Sequence, residues 1–348
     1  VRSLNSYGVH PDIIIARSDR PVDKKRKEKI AFSSNVGPES IISAPDVESI
    51  YDIPLNFEKD GLSGTLLNLL NLTPKQSDLK DWRRMVARMK VATTPVRIAI
   101  VGKYFKTGDF VLSDVYISVI EALKHAAGAL SKKLIIEWLD AGDYEINRAK
   151  LKSLNKFDGV LVPGGFGERG VEGKINVIKY AREHQLPFFG LCYGMQLAVI
   201  EFARHAVGLK GAHTAEVNPE TKYPVIDIMP EQKKHLKDDN YGGTMRLGAY
   251  PAWIKKGTHA YNAYKSQKTS ERHRHRFEVN PAYIEPLEKA GLIFSATSPD
   301  GKLMEIAELP TKTHPFFLGT QFHPEFKSTP LHPHPLFVAF LKAAANQP

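Results

Sequence analysis

Pro187-Phe188-Phe189-Gly190-Leu191-Cys192-Tyr193-Gly194 is the stretch on which the reading of this chain turns. Residues 187–191 form an apolar run of strand length, and from 194 to 205 the pattern becomes that of a helix. A strand passing straight into a helix through Gly-x-Cys-x-Gly has the geometry of a nucleophile elbow. The flanking glycines suit a sharp turn, which crowds any side chain two positions from its apex. A thiol at a helix N-terminus also meets the positive end of the helix dipole, which favours thiolate. Cys192 is the only cysteine in the chain, so an intrachain disulfide and a Cys-rich metal site are excluded, and a reducing compartment fits. A lone cysteine is otherwise most simply a small buried core residue. The two glycines and the position at a strand end favour the nucleophile.

Working outward, residues 96–101, 134–140 and 159–162 read as strands, and 113–129 and 174–185 as helices. This alternation predicts an α/β fold over residues 96–348, a doubly wound, mostly parallel sheet with its catalytic residues at the carboxyl ends of strands. From 223 to 327 the strands are shorter. Towards the N-terminus, 12–17 and 40–43 read as strands and 24–32 and 61–72 as helices. That is too little for an independent core, so residues 1–72 are expected to be part of a second α/β domain. Residues 73–95, polar, basic and bracketed by prolines, are expected to be a linker. The 348 residues, 42% hydrophobic and 25% charged, describe a globular protein. No apolar run is long enough for a membrane span, so a cytoplasmic protein without a membrane partner is expected. The net charge of +10 suits anionic ligands, although the run Lys24-Lys25-Arg26-Lys27-Glu28-Lys29 reads equally as a solvated face.

A cysteine nucleophile needs a base. Among 13 histidines the best placed is His323, in Gln321-Phe322-His323-Pro324-Glu325. Pro324 keeps His323 extended, and residues two apart on an extended chain share a side, so Glu325 can orient the imidazole. Acyl transfer also needs backbone N–H groups where an oxyanion forms. In an elbow one comes from Tyr193, and the loop Pro163-Gly164-Gly165-Phe166-Gly167 qualifies for the other. That loop opens a Gly-x-G-x-x-Gly match at 165–170, but as a dinucleotide fingerprint the match is weak. Arg272-His273-Arg274-His275-Arg276 reads as an RNA-binding patch, a two-histidine metal face lacking a third ligand, or a guanidinium grip on a carboxylate, and spacing alone does not choose.

Together these motifs resemble class I glutamine amidotransferases, and among them the CTP synthase family. The elbow, the glycine loop and His323-Pro324-Glu325 carry the broader likeness. Gly242-Gly243-Thr244-Met245-Arg246-Leu247-Gly248 and the Arg-His-Arg-His-Arg stretch carry the narrower one, with Arg17-Ser18-Asp19-Arg20 and residues 46–51 supporting it. The resemblance implies a glutaminase triad of Cys192, His323 and Glu325. It further implies that glutamine is held by Gly164, Gly165, Tyr193, Gly194, Met195, Gln196, Glu216 and Arg276. Ammonia would serve the amination of UTP to CTP, with ATP and magnesium as co-reactants and GTP as activator. Arg17, Lys29, Asp46 and Val47 would be the residue of an ATP and UTP site, with no metal ligand in this chain. The family implies a homotetramer, and no nucleic-acid partner is expected.

The likeness also implies that the synthetase portion begins partway through, so that this chain alone is not expected to make CTP. Tyr193 stands where leucine is usual, His213-Thr214-Ala215-Glu216 replaces a usual Asn-Ser-x-Glu, the loop 106–112 is long, and Ile117 takes a common lysine position. A different amidotransferase, a gamma-glutamyl hydrolase, or a non-catalytic nucleotide-binding or filament subunit are the competing readings.

Overall fold

The computed structural model describes residues 1–75, 78–103, 106–107, 110–111, 116–228 and 245–346. Gly242, Gly243 and Thr244 of the quoted motif, and part of the loop 106–112, lie outside them. The chain divides into two compact units, Val1–Lys90 and Val91–Pro348.

In the first unit β1 (Ile14–Ser18) and β2 (Ile41–Pro45) pair in parallel. Helix α1 (Lys24–Ser34) connects them, capped by Asp23, whose side chain accepts from the Arg26 amide. Helices α2 (Ile53–Lys59), α3 (Leu62–Leu69) and α4 (Lys80–Val91) follow. The expected linker is thus largely α4, which belongs to this unit. Met85 and Val86 bury against Tyr51, and Trp82 Nε1 donates to the Tyr51 carbonyl at 2.8 Å. The polar, basic composition that suggested a linker is the outer face of an amphipathic helix.

The second unit is built on a nine-stranded sheet. Its strands are β3 (Pro95–Gly102), β4 (Lys133–Asp140), β5 (Gly159–Val162), β6 (Phe188–Leu191), β9 (Arg246–Ile254), β10 (Lys268–His275), β12 (Ile293–Thr297), β13 (Met304–Glu308) and β14 (Phe317–Thr320). The order β10-β9-β12-β13-β14-β6-β5-β3-β4 joins five mutually parallel strands, β14 to β4, to four antiparallel ones. A smaller sheet holds β7 (His213–Thr214), β8 (Pro224–Ile228) and β11 (Phe277–Val279).

Side-chain alternation along the parallel strands divides the core between two faces. Ala99, Val101, Val160, Val162 and Phe188 pack with α7 (Val171–Glu183) and α8 (Tyr193–Phe202). Ile98, Ile100, Leu161, Phe189 and Leu191 pack with α5 (Ile117–Ala129) and α11 (Pro335–Ala344). With helices on both sides, these strands read as the continuous apolar runs seen in the sequence. The doubly wound expectation is met, and the antiparallel strands extend the sheet beyond it. No helix among the described residues is long and apolar enough to cross a membrane.

Candidate active site

The carboxyl ends of β6 and β14 lie side by side, with Leu191 paired to Thr320. The next residue after β6 is Cys192, whose amide donates to the Thr320 carbonyl at 2.6 Å. Its φ of +49° lies in the left-handed region that non-glycine residues avoid, at the N-cap of α8. The turn closes only because the neighbouring residues lack side chains. A Cβ on Gly194 would sit 2.2 Å from the Val162 carbonyl oxygen, and one on Gly190 2.7 Å from the Gly194 backbone.

His323 follows β14 by three residues. Its Nδ1 lies 2.7 Å from Glu325 Oε1. The pairing is as expected, but the backbone reaches it differently. His323 sits at φ −107° and ψ 87°, short of the extended region, and Pro324–Lys327 turn at once into a 3₁₀ helix, a first-turn position that suits proline. Burial works against the imidazolium, yet the charge of Glu325, that of Cys192 and hydrogen bonds to both outweigh it and raise the His323 pKa to about 10. The ring of Phe326 stacks on that of His323 with centroids 5.0 Å apart.

A cavity of about 570 Å³ opens over these groups. Gly164, Gly165, Cys192, Tyr193, Gln196, Glu216, Arg276, His323 and Glu325 all line it, which brings together most of the residues singled out in the sequence. Gly164 fills the gap beside the base, since a Cβ there would lie 2.9 Å from His323 Cε1. Burial raises the Glu216 pKa against the opposing pull of the Gly167 amide, Lys103 and Arg276. Burial and Glu216 together also raise the Tyr193 phenol, which donates to the Gly167 carbonyl at 3.2 Å.

Two expected residues sit elsewhere. Gly194 packs against β5, and Met195 is fully buried in the core. The Met195 and Gln196 amides bond back to the Cys192 carbonyl, so neither is a spare donor. Gln196 reaches the site through its side chain, donating to Phe277 O at 2.9 Å and Gln321 Oε1 at 3.2 Å.

Gln321 was missed in the sequence, although it lies two residues before His323. Its Nε2 approaches Cys192 Sγ at 3.7 Å. Arg272-His273-Arg274-His275 is strand β10, and its alternation buries His273 and His275 while exposing Arg272 and Arg274. The two histidines share a face as expected, but carboxylates meet them. His273 Nε2 is 2.6 Å from Glu305, and His275 Nδ1 is 3.4 Å from Glu278. No group of three or more His, Cys, Asp or Glu among the described residues is arranged to hold a metal ion.

In the first unit, Arg17, Asp46 and Val47 line a cavity of about 380 Å³ at the carboxyl ends of β1 and β2, where Arg17 Nε donates to Asp46 at 3.3 Å. Lys29, exposed on α1, is not among its lining residues.

The strained cysteine, the histidine and the glutamate all lie within the range that matches a known family. The profile described as glutamine amidotransferase class-I matches residues 111–343. The chain belongs to the class-I glutamine amidotransferase family. Residues 1–72 of the chain match a second profile, described as the CTP synthase N-terminus. The chain is 52% identical over 345 residues to the CTP synthase of Pyrococcus furiosus, covering 99% of this chain and 62% of that relative. It is 46% identical over 347 residues to the CTP synthase of Halalkalibacterium halodurans, covering 100% of this chain and 63% of the relative. The chain therefore spans somewhat under two thirds of the length of these curated relatives. Among solved structures, it resembles the glutaminase domain of Trypanosoma brucei CTPS with bound acivicin. That match has a TM-score of 0.66 and 41% identity, over 73% of this chain and 95% of that one.

Proposed function

We propose that this chain hydrolyses glutamine to glutamate and ammonia with Cys192 as nucleophile, and that the ammonia aminates UTP to CTP in a longer protein of the CTP synthase family. The observation that carries the reading is the alignment of Cys192, His323 and Glu325 at the mouth of one cavity, with His323 held as imidazolium beside the thiol. Sγ, as the thiolate whose proton His323 holds, attacks the glutamine side-chain carbonyl carbon, and the carbonyl electron pair moves to oxygen. That oxyanion faces the Gly165 and Tyr193 amides. Its collapse breaks the C–N bond as the His323 proton passes to the leaving nitrogen, giving ammonia and a glutamyl thioester. Water, deprotonated by His323, then attacks the thioester and returns the thiol. Arg276 and Glu216, on the cavity wall, supply charges for the substrate's carboxylate and amino groups.

Magnesium, ATP, UTP, the GTP activator and tetramer assembly belong in this proposal to the longer protein. This chain contributes Arg17, Asp46 and Val47 to one wall of a nucleotide site. The lone reduced thiol suits a cytoplasmic setting.

The test is the intact mass of the protein after incubation with a diazo-ketone glutamine analogue. Wild type is expected to gain one adduct that Cys192→Ala lacks. A folded wild-type protein that gains none, alone or with a separately expressed synthetase domain, would sink the glutaminase reading.

A further inference from the structure

Lys174, on the first turn of α7, is fully buried, and its ammonium has no hydrogen-bond partner among the described residues. The side chain lies against the two residues to which the proposed reaction assigns the oxyanion. Its Nζ lies 3.9 Å from the Cβ position of Gly165 and 5.4 Å from the centroid of the Tyr193 ring. Gly165 and Tyr193 line the cavity and Lys174 does not, so the ammonium sits on the protein side of the loop. A second lysine, Lys103, braces the same loop by donating to the Phe166 carbonyl.

A buried ammonium without a counter-charge in hydrogen-bonding range is costly to the resting fold, and an apolar side chain of similar length would fill the space more cheaply. In the proposed reaction a negative charge develops on the substrate oxygen beside Gly165 and Tyr193, the two residues nearest this ammonium. In a low-dielectric wall such a charge is felt strongly, and it needs no reorganisation when the oxyanion forms.

We propose that Lys174 is a positioning residue for the glutaminase reaction, a buried cation that acts through the Gly164–Gly165 loop and Tyr193 to favour the oxyanion. This rests on the glutaminase reading. The charged and titratable groups around Lys174 are few. Lys103, at the end of β3, and Asp140, at the end of β4, act on it in opposite senses, and the Tyr193 phenol lies above it. Glu216 acts on Lys103 and Tyr193. Glu145, on the short helix Ala141–Ile146 that packs on α7, interacts with Glu172 and Glu168, and Arg182 with Glu201 two turns further along. Burial first, then Lys103, lowers the Lys174 pKa to about 8, with Asp140 pulling the other way.

The variants Lys174→Met and Lys174→Arg separate charge from packing. The diazo-ketone analogue alkylates Cys192 at a carbon that needs no oxyanion, so it reports the formed glutamine site. Glutamine turnover reports the oxyanion step. Lys174→Met is expected to label at the wild-type rate and to melt no lower than wild type, while kcat falls on the order of tenfold at unchanged KM. In wild type, kcat should decline as pH rises through about 8, where the ammonium loses its proton, and in Lys174→Arg that decline should be absent.

Turnover by Lys174→Met within twofold of wild type would overturn the inference, as would labelling and turnover falling together. Should Lys174→Met not fold, an unchanged alkaline decline in Lys174→Arg overturns it on its own. Wild-type protein that does not label removes the glutaminase reading first, and this inference with it.

Discussion

His323 is the residue on which the site's chemistry and its pH response both depend. Its pKa is about 10 in the folded chain, against an ordinary 6.5. A group raised in this way contributes stability that is fully present below pH 6.5 and is lost as pH rises through about 10. Replacing Glu325 by Gln removes the principal charge that opposes burial. The His323 titration, followed by NMR of the imidazole protons, is then expected to move down by more than a unit. Glutaminase kcat should fall by about 10⁴-fold, the scale seen when a triad carboxylate is neutralised. Over pH 6.5–10 the denaturation midpoint of Glu325→Gln should vary less than that of wild type. Cys192, His323 and Glu325 were legible in the sequence because glycines and a proline give local reasons for their backbone. Gln321 and Lys174 carry no such local sign. Gln321 matters through a contact with a residue 129 positions away, and Lys174 through the burial of its ammonium, which sequence patterning does not reveal.

At the scale of elements, Arg276 of the cavity wall follows directly on a strand that a buried charge cluster holds in place. Glu305 on β13 takes Arg246 of β9 at 2.8 Å and His273 of β10 at 2.6 Å, all three buried. One carboxylate thus links three strands of the antiparallel half, at the end from which Arg276 enters the cavity. Glu305→Gln leaves Arg246 with a weakened partner in a dry setting and is expected to cost about 3 kcal/mol, read from urea unfolding. Because the strand end bearing Arg276 loosens, KM for glutamine should rise more than kcat falls. Strand and helix alternation in residues 96–205 was plain from apolar periodicity alone. The dense Arg-His-Arg-His-Arg stretch was not, since alternating burial on β10 assigns its histidines inward and its arginines outward only once the neighbouring carboxylates are known.

For the whole molecule, the division into two compact units falls after Lys90, inside the 73–95 stretch. Composition marked 73–95 as a connection, and the decisive contact, Trp82 on Tyr51, joins residues 31 apart. Trp82→Ala is expected to destabilise the first unit by about 2 kcal/mol, somewhat below the value for a fully buried aromatic. Differential scanning calorimetry should show its transition moving down, while diazo-ketone labelling of Cys192 proceeds unchanged. A parallel loss of labelling would show that the second unit's cavity depends on the helix.

The neighbouring carboxyl ends of β6 and β14 bear on the order in which this chain acquires chemistry. Cys192 and His323 emerge from synthesis well over a hundred residues apart, and only the docking of β14 against β6 brings them together. Pairings of such long range form late, after much of the chain has already collapsed. A nascent or half-folded chain therefore carries an ordinary thiol, without the imidazolium that arms it. On the proposed function, reactivity waits until the sheet is complete, which would spare the unfinished protein from alkylation and from idle release of ammonia.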